Sequence, residues 1–246
     1  MALLEDLANK AKTKNSRILL PESTDSRVIE ASRFISDQNL AQIVLFDEDA
    51  ASSLGVDSIN LKNEDLRLEY AQTLFELRKH KGVSFEAALE MLSSPSVCAM
   101  IALHRSEVDG VVTGAITPSQ EVLSSALRII GVSENRHLVS SLFLMVFDED
   151  HKRHGENLIF TDCAMNISPN SDELAEIAFS AYETAQSFLD EEPKLAMLSF
   201  STNQSAKHSE VDKVRQATEM VRSRLCLLYT SPSPRDATLS RMPSSA

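Results

Sequence analysis

The sequence lacks several features that would point to particular classes of protein. Its 246 residues include only three cysteines (Cys98, Cys163 and Cys226), none of them in a CxxC pair. This spacing predicts neither a disulfide framework nor a zinc site. No apolar run approaches the length of a membrane span, and the N-terminus carries acidic residues where a signal peptide would be basic. We therefore expect a cytoplasmic protein with no membrane partner.

Positive charge is also scarce. The 24 lysines and arginines stand against 36 aspartates and glutamates, which gives a net charge of −12. Proteins that bind nucleic acid need a basic face, so we do not expect nucleic acid as the main partner. Small anionic metabolites remain possible ligands, because a few local cations suffice for them. The sequence contains no HExxH, P-loop or dinucleotide fingerprint, so we predict no metal site.

What the sequence does contain is an alternation of short apolar runs with longer helical patterns. The runs are mostly continuous, as expected for strands that are covered on both faces. Strands in alternation with helices predict an α/β fold with largely parallel sheets. The predicted strands are 16–21, 41–47, 109–115, 137–147, 157–165 and 194–201.

Three helical segments carry clear boundary signals. The segment 63–82 has four basic residues in its last turn and then stops at Gly82. A second helix follows Asn170 as its cap, with Glu173 three residues later. A third begins at Ser209 as its cap. Its predicted buried stripe is Val211, Val214, Thr218 and Val221.

The composition changes after this third helix. Residues 225–246 hold three of the eight prolines and five serines, a mixture that buries too little surface to order itself. We expect this tail to be disordered or artefactual and the chain to be truncated. The predicted domains are 1–148, an incomplete second domain at 149–224, and the tail.

The segment 109–131 is the most informative for function. A predicted strand ends at Gly114, and a helix is predicted with Thr117 as its cap and Pro118 at its first position. A glycine turn that leads into a helix N-terminus offers free N–H groups to an anion such as phosphate. In open α/β sheets, ligands bind beyond the carboxyl ends of the strands. The alternative is a strand–helix connection that binds nothing.

Three further places offer polar or charged groups. The segment 199–208 is either a ligand loop or a polar linker. Asp162 and Cys163 are neighbours, but no histidine lies near them in the sequence to serve as base, so a nucleophilic cysteine is disfavoured. Asp162 is better interpreted as a positioning or loop-stabilising group. Arg78 either stabilises the end of its helix or reaches an anionic substrate as a bidentate clamp.

Taken in order, these motifs resemble the successive signatures of the phosphate acetyltransferases, the acetyl/butyryl transferase family. The resemblance extends from residue 1 to about residue 224. The segments that carry it are RILLPESTDSRVIEAS, ELRKHKG, DGVVTGAITPSQEVLSSALRIIG, LVSSLFLMVF, FTDCAMNISPNSDELAEIA and LAMLSFSTNQSAKHSEVDKVR.

The resemblance implies the reaction acetyl-CoA + phosphate = acetyl phosphate + CoA. It also implies two α/β/α domains like those of isocitrate and isopropylmalate dehydrogenases, usually in a homodimer. Coenzyme A is a substrate in this family, and no metal or tightly held cofactor forms part of the catalytic centre. The substrate-binding residues that it implies are Arg78, Gly114, Thr117, Ser119, Ser124, Asp162, Ser201, Thr202 and Ser205.

The sequence departs from the family pattern in three places. The family's catalytic Asp and Ser-Arg pair belong to a C-terminal segment that this sequence lacks, so we expect the chain as written to be inactive. Ser124 stands where the family commonly has an arginine, and Asn203-Gln204 replace a Lys-Gly pair. A butyryl-preferring transferase and a non-catalytic, acyl-CoA-sensing module of the same fold are the alternatives.

Overall fold

The computed structural model describes residues 2–134, 136–189, 192–200 and 208–225. The chain divides into two compact units. We call residues Glu5–Gly131 the N-terminal unit and the part from Val132 onwards the C-terminal unit. The predicted boundary between folding domains, after residue 148, stays a prediction.

Helices and strands alternate along the first half of the chain. The elements up to Gly131 are α1 (Ala2–Lys14), β1 (Arg17–Leu20), α2 (Ser26–Asp37), β2 (Gln42–Leu45), α3 (Glu48–Leu54), β3 (Asp57–Ser58), α4 (Glu64–Arg78), a 3-10 turn (Lys79–Lys81), α5 (Phe85–Met91), α6 (Pro95–His104), β4 (Gly110–Val111) and α7 (Ser119–Ile129). The elements after it are β5 (Leu142–Val146), β6 (Asn157–Thr161), α8 (Ser171–Phe188) and α9 (Ser209–Leu225).

The N-terminal unit is built on a parallel sheet with the strand order β3-β2-β1-β4. Successive side chains of its central strands point to opposite faces. On one face Leu19 and Val44 join the core formed with α4, α5 and α6. On the other face Leu20 and Leu45 pack with residues of α2 and α3. Both faces are therefore covered, which explains the continuous apolar runs and confirms the predicted parallel α/β architecture in this unit.

The ends of α4 confirm the sequence prediction. Asn63 caps its first turn by accepting hydrogen bonds from the N–H groups of Asp65 and Leu66. The 3-10 turn then carries the chain to Gly82, whose φ of 81° lies in the left-handed region that glycine adopts at low cost. Arg78 is thus the last residue of α4.

The C-terminal unit corrects two predictions about strands. Its β5 and β6 form an antiparallel pair, whereas parallel strands were expected. The chain between them, 147–156, contains no helix, so it cannot make the long crossover that a parallel pair requires. The described part of the run 194–201 is not a strand either. Leu195 and Met197 instead pack against the core between α8 and α9.

The helices of the C-terminal unit agree better with the sequence. The predicted capping box of α8 is present, because Asn170 accepts from the Glu173 N–H and the Glu173 carboxylate accepts from the Asn170 N–H. Helix α9 already includes Ser209, so its cap is His208, whose Nδ1 accepts from the Glu210 N–H. Of the predicted stripe, Val221 is buried and the other three members are half-buried, while Ala217, which the prediction did not include, is also buried.

Within the described ranges, no single helix has both the length and the apolar character to cross a membrane. Helices α5 and α6 meet that criterion only as a pair bent by 110°. Of the predicted tail, 225–246, Leu225 is the last residue of α9, and residues 226–246 lie outside the described residues.

Candidate substrate-binding site

The loops that follow β1, β2 and β4 meet at one edge of the sheet, because the three strands are parallel. Strand β1 lies between the other two, and it is followed directly by Pro21, Glu22 and Ser23. The Ser23 hydroxyl accepts hydrogen bonds from the N–H groups of Phe46 (3.1 Å) and Asp47 (3.3 Å), just beyond β2. Ser23 therefore ties the end of β1 to the loop on its β2 side.

Glu22 makes the corresponding connection on the β4 side. Its Oε2 accepts from the N–H groups of Gly114 (2.9 Å) and Ala115 (2.8 Å). Its Oε1 accepts from the N–H groups of Ile116 (2.9 Å) and Thr117 (2.7 Å). One carboxylate thus takes four successive backbone donors of the loop between β4 and α7, which we call the β4–α7 loop (residues 112–118).

The electrostatics of Glu22 follow from this arrangement. The side chain is only 6% exposed, and burial by itself would raise its pKa. Hydrogen bonds from Ile116, Thr117 and Ala115 outweigh burial and lower the pKa of Glu22 from 4.5 to about 2. Glu22 is therefore a buried carboxylate anion throughout the physiological pH range.

This finding corrects the sequence-based account of the loop. The N–H groups of residues 114–117 were expected to be free for an anionic ligand, but they bind the protein's own carboxylate. The helix also begins one residue later than predicted, with Pro118 as its N-cap and Ser119 as its first residue. Thr117 is therefore not the cap, and its N–H serves the Glu22 contact instead.

Arg27 fastens the same loop from a second direction. Its guanidinium donates to the Ala115 carbonyl oxygen at 2.9 Å and forms a bidentate pair with Asp25. Asp25 in turn caps α2 by accepting from the Arg27 N–H at 2.8 Å. The segment Glu22–Arg27 therefore binds the β4–α7 loop in two ways: Glu22 accepts from its N–H groups, and Arg27 donates to one of its carbonyl oxygens.

Arg78 carries an unusual unpaired group. Its side chain is half-buried, and its Nε is a buried atom with no hydrogen-bond partner among the described residues. The hydroxyl of Thr113, in the β4–α7 loop, is a second such atom. A buried polar atom without a partner costs free energy, and a bound ligand is one way to satisfy it. Arg78 thus retains a donor that an anion could accept from, while its contact with substrate stays a prediction.

The remaining predicted residues of the N-terminal unit lie in or beside α7. Gly114, Ser119 and Ser124 are exposed, and the Ser124 hydroxyl donates to the Glu121 carbonyl oxygen at 3.0 Å. Ser124 thus bonds within its own helix. Their contact with substrate stays a prediction.

Asp162, in the C-terminal unit, is the centre of another set of hydrogen bonds. Its carboxylate accepts from the Ser141 N–H (2.8 Å) and the Ser141 hydroxyl. It also accepts from the N–H (2.5 Å) and side-chain amide (2.8 Å) of Asn166, and from the N–H of Met165 (3.4 Å). The interpretation of Asp162 as a loop-stabilising group is confirmed, while its contact with substrate stays a prediction.

The surroundings of Asp162 make it a poor proton acceptor. Burial alone would raise its pKa, but the hydrogen bonds from Ser141 and Asn166 outweigh burial and hold the pKa well below its usual range. A general base at neutral pH needs a pKa much closer to 7. The neighbouring Cys163 thiol donates to the Phe160 carbonyl oxygen at 3.1 Å, and the described contacts pair it with no base.

Three predicted site residues, Ser201, Thr202 and Ser205, lie outside the described residues. Within the ranges that are described, no cluster of histidine, cysteine, aspartate or glutamate side chains is arranged to hold a metal ion.

Sequence reasoning missed Glu22, Ser23 and Ser141. A signal for Glu22 was available, because an acidic residue directly after a buried parallel strand lies at the edge where loops meet. The contact of Ser141 with Asp162 follows from the pairing of β5 with β6. Leu142 pairs with Thr161, and the next residues along the two antiparallel strands, Ser141 and Asp162, therefore lie opposite each other. That pairing becomes available only once the strands are known to be antiparallel.

Comparison with known proteins identifies relatives of this chain. The sequence profile described as phosphate acetyl/butaryl transferase matches residues 2–229. Phosphate acetyltransferase of Clostridium acetobutylicum is 39% identical over 233 residues, which cover 90% of this chain and 70% of that protein. Its counterpart from Thermoanaerobacterium thermosaccharolyticum is 36% identical over 234 residues, with 91% and 70% covered.

Solved structures agree with these sequence matches. A phosphotransacetylase from Streptococcus pyogenes has a TM-score of 0.82 and 33% identity, covering 92% of this chain and 70% of that one. The EutD phosphotransacetylase from Staphylococcus aureus has a TM-score of 0.81 and 29% identity, covering 94% and 73%. The α/β fold predicted from the sequence is confirmed by these likenesses.

Proposed function

Because this chain belongs to the phosphate acetyl/butaryl transferase family, we propose that it serves acetyl transfer between coenzyme A and phosphate. The observation in the structure that best supports this function is Arg78. At the end of α4 it presents a buried guanidinium nitrogen that has no hydrogen-bond partner among the described residues, and such a donor can bind an anionic substrate. Phosphate, acetyl phosphate and the phosphates of coenzyme A are all anions of this kind.

The proposed chemistry is a direct acyl transfer. The sulfur of coenzyme A bonds to the acetyl carbon of acetyl phosphate, the carbon–oxygen bond to phosphate breaks, and phosphate leaves with the bonding electrons. The thiol proton passes to a base, since a thiol of ordinary pKa is mostly protonated at neutral pH. Coenzyme A is a substrate here, and the proposal includes no resident cofactor or metal.

Arg78 contributes charge to this reaction. A guanidinium pairs with two phosphate oxygens in a fixed geometry, which orients the acyl phosphate as well as binding it. Because hydrogen bonds from Ser141 and Asn166 hold the pKa of Asp162 well below its usual range, we do not assign the removal of the thiol proton to it. The resemblance assigns that step to an aspartate in a segment that the given sequence does not include. The expectation that the chain as written is inactive stays a prediction.

The experiment is an assay of CoA-dependent phosphate release from acetyl phosphate. It compares residues 1–246 with a chimera in which residues 1–225 are joined to the remaining C-terminal part of the Clostridium acetobutylicum enzyme. We expect turnover in the chimera only. Turnover by the given chain would overturn its predicted inactivity, and a folded chimera that neither binds coenzyme A nor releases phosphate would overturn the proposed function.

The role of Arg78 is tested by binding of acetyl phosphate to the full chain, measured by calorimetry. Loss of a charge-assisted contact costs about 1.5–3 kcal/mol, so Arg78→Ala is expected to weaken binding roughly tenfold or more. Lys81→Ala is the matched control, because it removes an exposed cation from the same basic segment. Equal effects of the two substitutions on binding would show that Arg78 contributes only its charge and makes no specific contact with acetyl phosphate.

A second candidate function is a non-catalytic module that senses acyl-CoA. Ser124 favours it, because a serine that bonds within its own helix replaces an arginine expected from the resemblance. If Ser124 marks a lost phosphate contact, Ser124→Arg should tighten acetyl phosphate binding. If the chain is a sensor, acetyl-CoA should bind the wild type and Ser124→Arg equally tightly.

Competition between acetyl-CoA and butyryl-CoA for binding tests the remaining alternative, a butyryl-preferring transferase.

We also propose that the protein is a cytoplasmic homodimer, as the resemblance implies. The β5–β6 pair supports self-association, because one of its faces exposes Phe143, Met145 and Phe160 at 61%, 40% and 48%. Contiguous apolar patches of this kind are typical of interfaces. Light scattering of the wild type and of Phe143→Ser tests the dimer, and an unchanged mass in both would remove this face from the interface.

A further inference from the structure

We infer that Glu22 positions the β4–α7 loop of the substrate site and excludes the substrate's phosphate from the backbone donors of that loop. The inference rests on the proposed function, because the predicted substrate residues Gly114, Thr117 and Ser119 lie in this loop or directly after it. Glu22 is a positioning residue: it acts on the substrate only through the loop that it holds.

The distribution of the hydrogen bonds supports this assignment. Each oxygen of the Glu22 carboxylate accepts from two successive N–H groups, all at 2.7–2.9 Å. A run of convergent backbone N–H groups is the arrangement by which loops bind phosphate. The Glu22 carboxylate already occupies the position in which a bound anion would accept hydrogen bonds from these N–H groups.

Charge strengthens the exclusion. Glu22 is buried and ionised, so a phosphate that approached the same N–H groups would meet a like charge at short range. The phosphate must therefore be bound by side chains, and Arg78 is the cation of this unit that retains a buried, unpaired donor among the described residues. The loop then shapes the site without holding the phosphate through its backbone.

The contacts of the β4–α7 loop fix its position relative to the sheet and not only its own conformation. Glu22 follows β1, the strand paired with both β2 and β4, and the adjacent Ser23 binds the loop beyond β2. Arg27 adds its bond to the Ala115 carbonyl. A change at Glu22 should therefore alter the loop's position while the four strands stay paired.

The test uses the complete chain and hydrogen–deuterium exchange of the backbone amides. Glu22→Ala should speed exchange at residues 114–117 by about tenfold or more, because four amides lose their acceptor. Glu30→Ala, which removes an exposed carboxylate from α2, should leave the same amides unchanged. Slow exchange in the core helices α4 and α6 establishes that each variant is folded, and Glu22→Gln replaces Glu22→Ala if the alanine variant is not.

Chemical rescue separates positioning from general damage. The truncated side chain leaves room for a small carboxylate, so sodium formate should restore slow exchange at residues 114–117 in Glu22→Ala, whereas sodium chloride at the same ionic strength should not. The affinity of the Arg78 site for acetyl phosphate, followed by the NMR signals of Arg78, should fall about tenfold in Glu22→Ala and recover with formate. Unchanged exchange at these amides, or lowered affinity that formate does not restore, would overturn the positioning role.

The wild type tests the exclusion. Inorganic phosphate and acetyl phosphate should perturb the NMR signals of Arg78 and leave the amides of residues 114–117 bonded to Glu22. Displacement of Glu22 by phosphate, seen as large shifts of those four amides, would overturn the exclusion. A wild-type chain that binds neither acetyl phosphate nor coenzyme A would contradict the proposed function instead, while the exchange result on Glu22 would still stand.

Discussion

In each of the two units a carboxylate holds one loop by hydrogen bonds. The two carboxylates differ in how far along the chain their hydrogen-bond partners lie. Glu22 binds N–H groups that are 92–95 residues away. Asp162 binds Ser141, 21 residues away across the β5–β6 pair, and Asn166, only 4 residues away. The first carboxylate joins two separate βα segments of a sheet, and the second closes a local turn.

This difference teaches how much each contact depends on the rest of the fold. The Glu22 bonds form only after β1 and β4 have paired, so they depend on the whole parallel sheet of the N-terminal unit. The Asp162 bonds need little more than one antiparallel pair and the turn that follows it. Loss of Glu22 should therefore be costlier than loss of Asp162.

Glu22→Gln is expected to lower the free energy of unfolding of the N-terminal unit by about 3 kcal/mol. The amide keeps one acceptor oxygen, but its NH2 group faces two of the loop's N–H donors, which stay buried without a partner. Denaturant-dependent hydrogen exchange at α6 measures this unit, and exchange at α8 is the internal control. A loss below about 1 kcal/mol would remove the contrast between the two carboxylates.

Asp162→Asn is expected to destabilise the C-terminal unit by about 2 kcal/mol, because Asp162 is only half-buried and water can replace part of what is lost. The same exchange experiment reports it, now with slow exchange lost at α8 and kept at α6. An equal loss in both units would show that the two loops do not act locally.

Ser141→Ala is expected to cost about 1 kcal/mol in the C-terminal unit. The serine hydroxyl donates to Asp162 and accepts from the N–H groups of Cys163 (3.0 Å) and Ala164 (2.9 Å). If the Asp162 set acts as one network, the double variant Ser141→Ala/Asp162→Asn should cost less than the two single effects together. Simple additivity would show two independent contacts.

Arg27→Lys is expected to have the smallest effect on the free energy of unfolding, since the Arg27 side chain is 67% exposed and exposed ion pairs contribute little. The effect should appear as faster amide exchange near residue 115 rather than as a change in global unfolding. A loss comparable with that of Glu22→Gln would mean that Arg27, and not Glu22, is the main support of the loop.

Local patterns predicted the parts of the fold that depend on neighbouring residues. The capping box at Asn170, the end of α4 at Gly82 and the parallel sheet around β1 all follow from spacing and composition. The antiparallel pairing of β5 with β6 was not predicted. A continuous apolar run indicates a buried strand but does not show whether that strand is parallel or antiparallel to its neighbour.

The candidate site was predicted less completely for a related reason. The motif spacing pointed to the β4–α7 loop, and the basic segment at the end of a predicted helix pointed to Arg78 as a candidate. Neither indicated that Glu22 would fill the loop's N–H groups, since that contact joins residues more than 90 positions apart. A sequence motif shows that donors converge, but only the fold shows which acceptor reaches them.

The central claim is that Glu22 is an anion held by the β4–α7 loop, and its carboxyl pKa tests this most directly. A pKa lowered in the folded state stabilises the protein fully above the ordinary value of 4.5, and this contribution is lost as the pH falls towards about 2. The measurement is a carbon-13 NMR titration of the Glu22 carboxyl group. We predict a midpoint near 2 for Glu22, and a midpoint at the ordinary value of 4.5 would contradict the account.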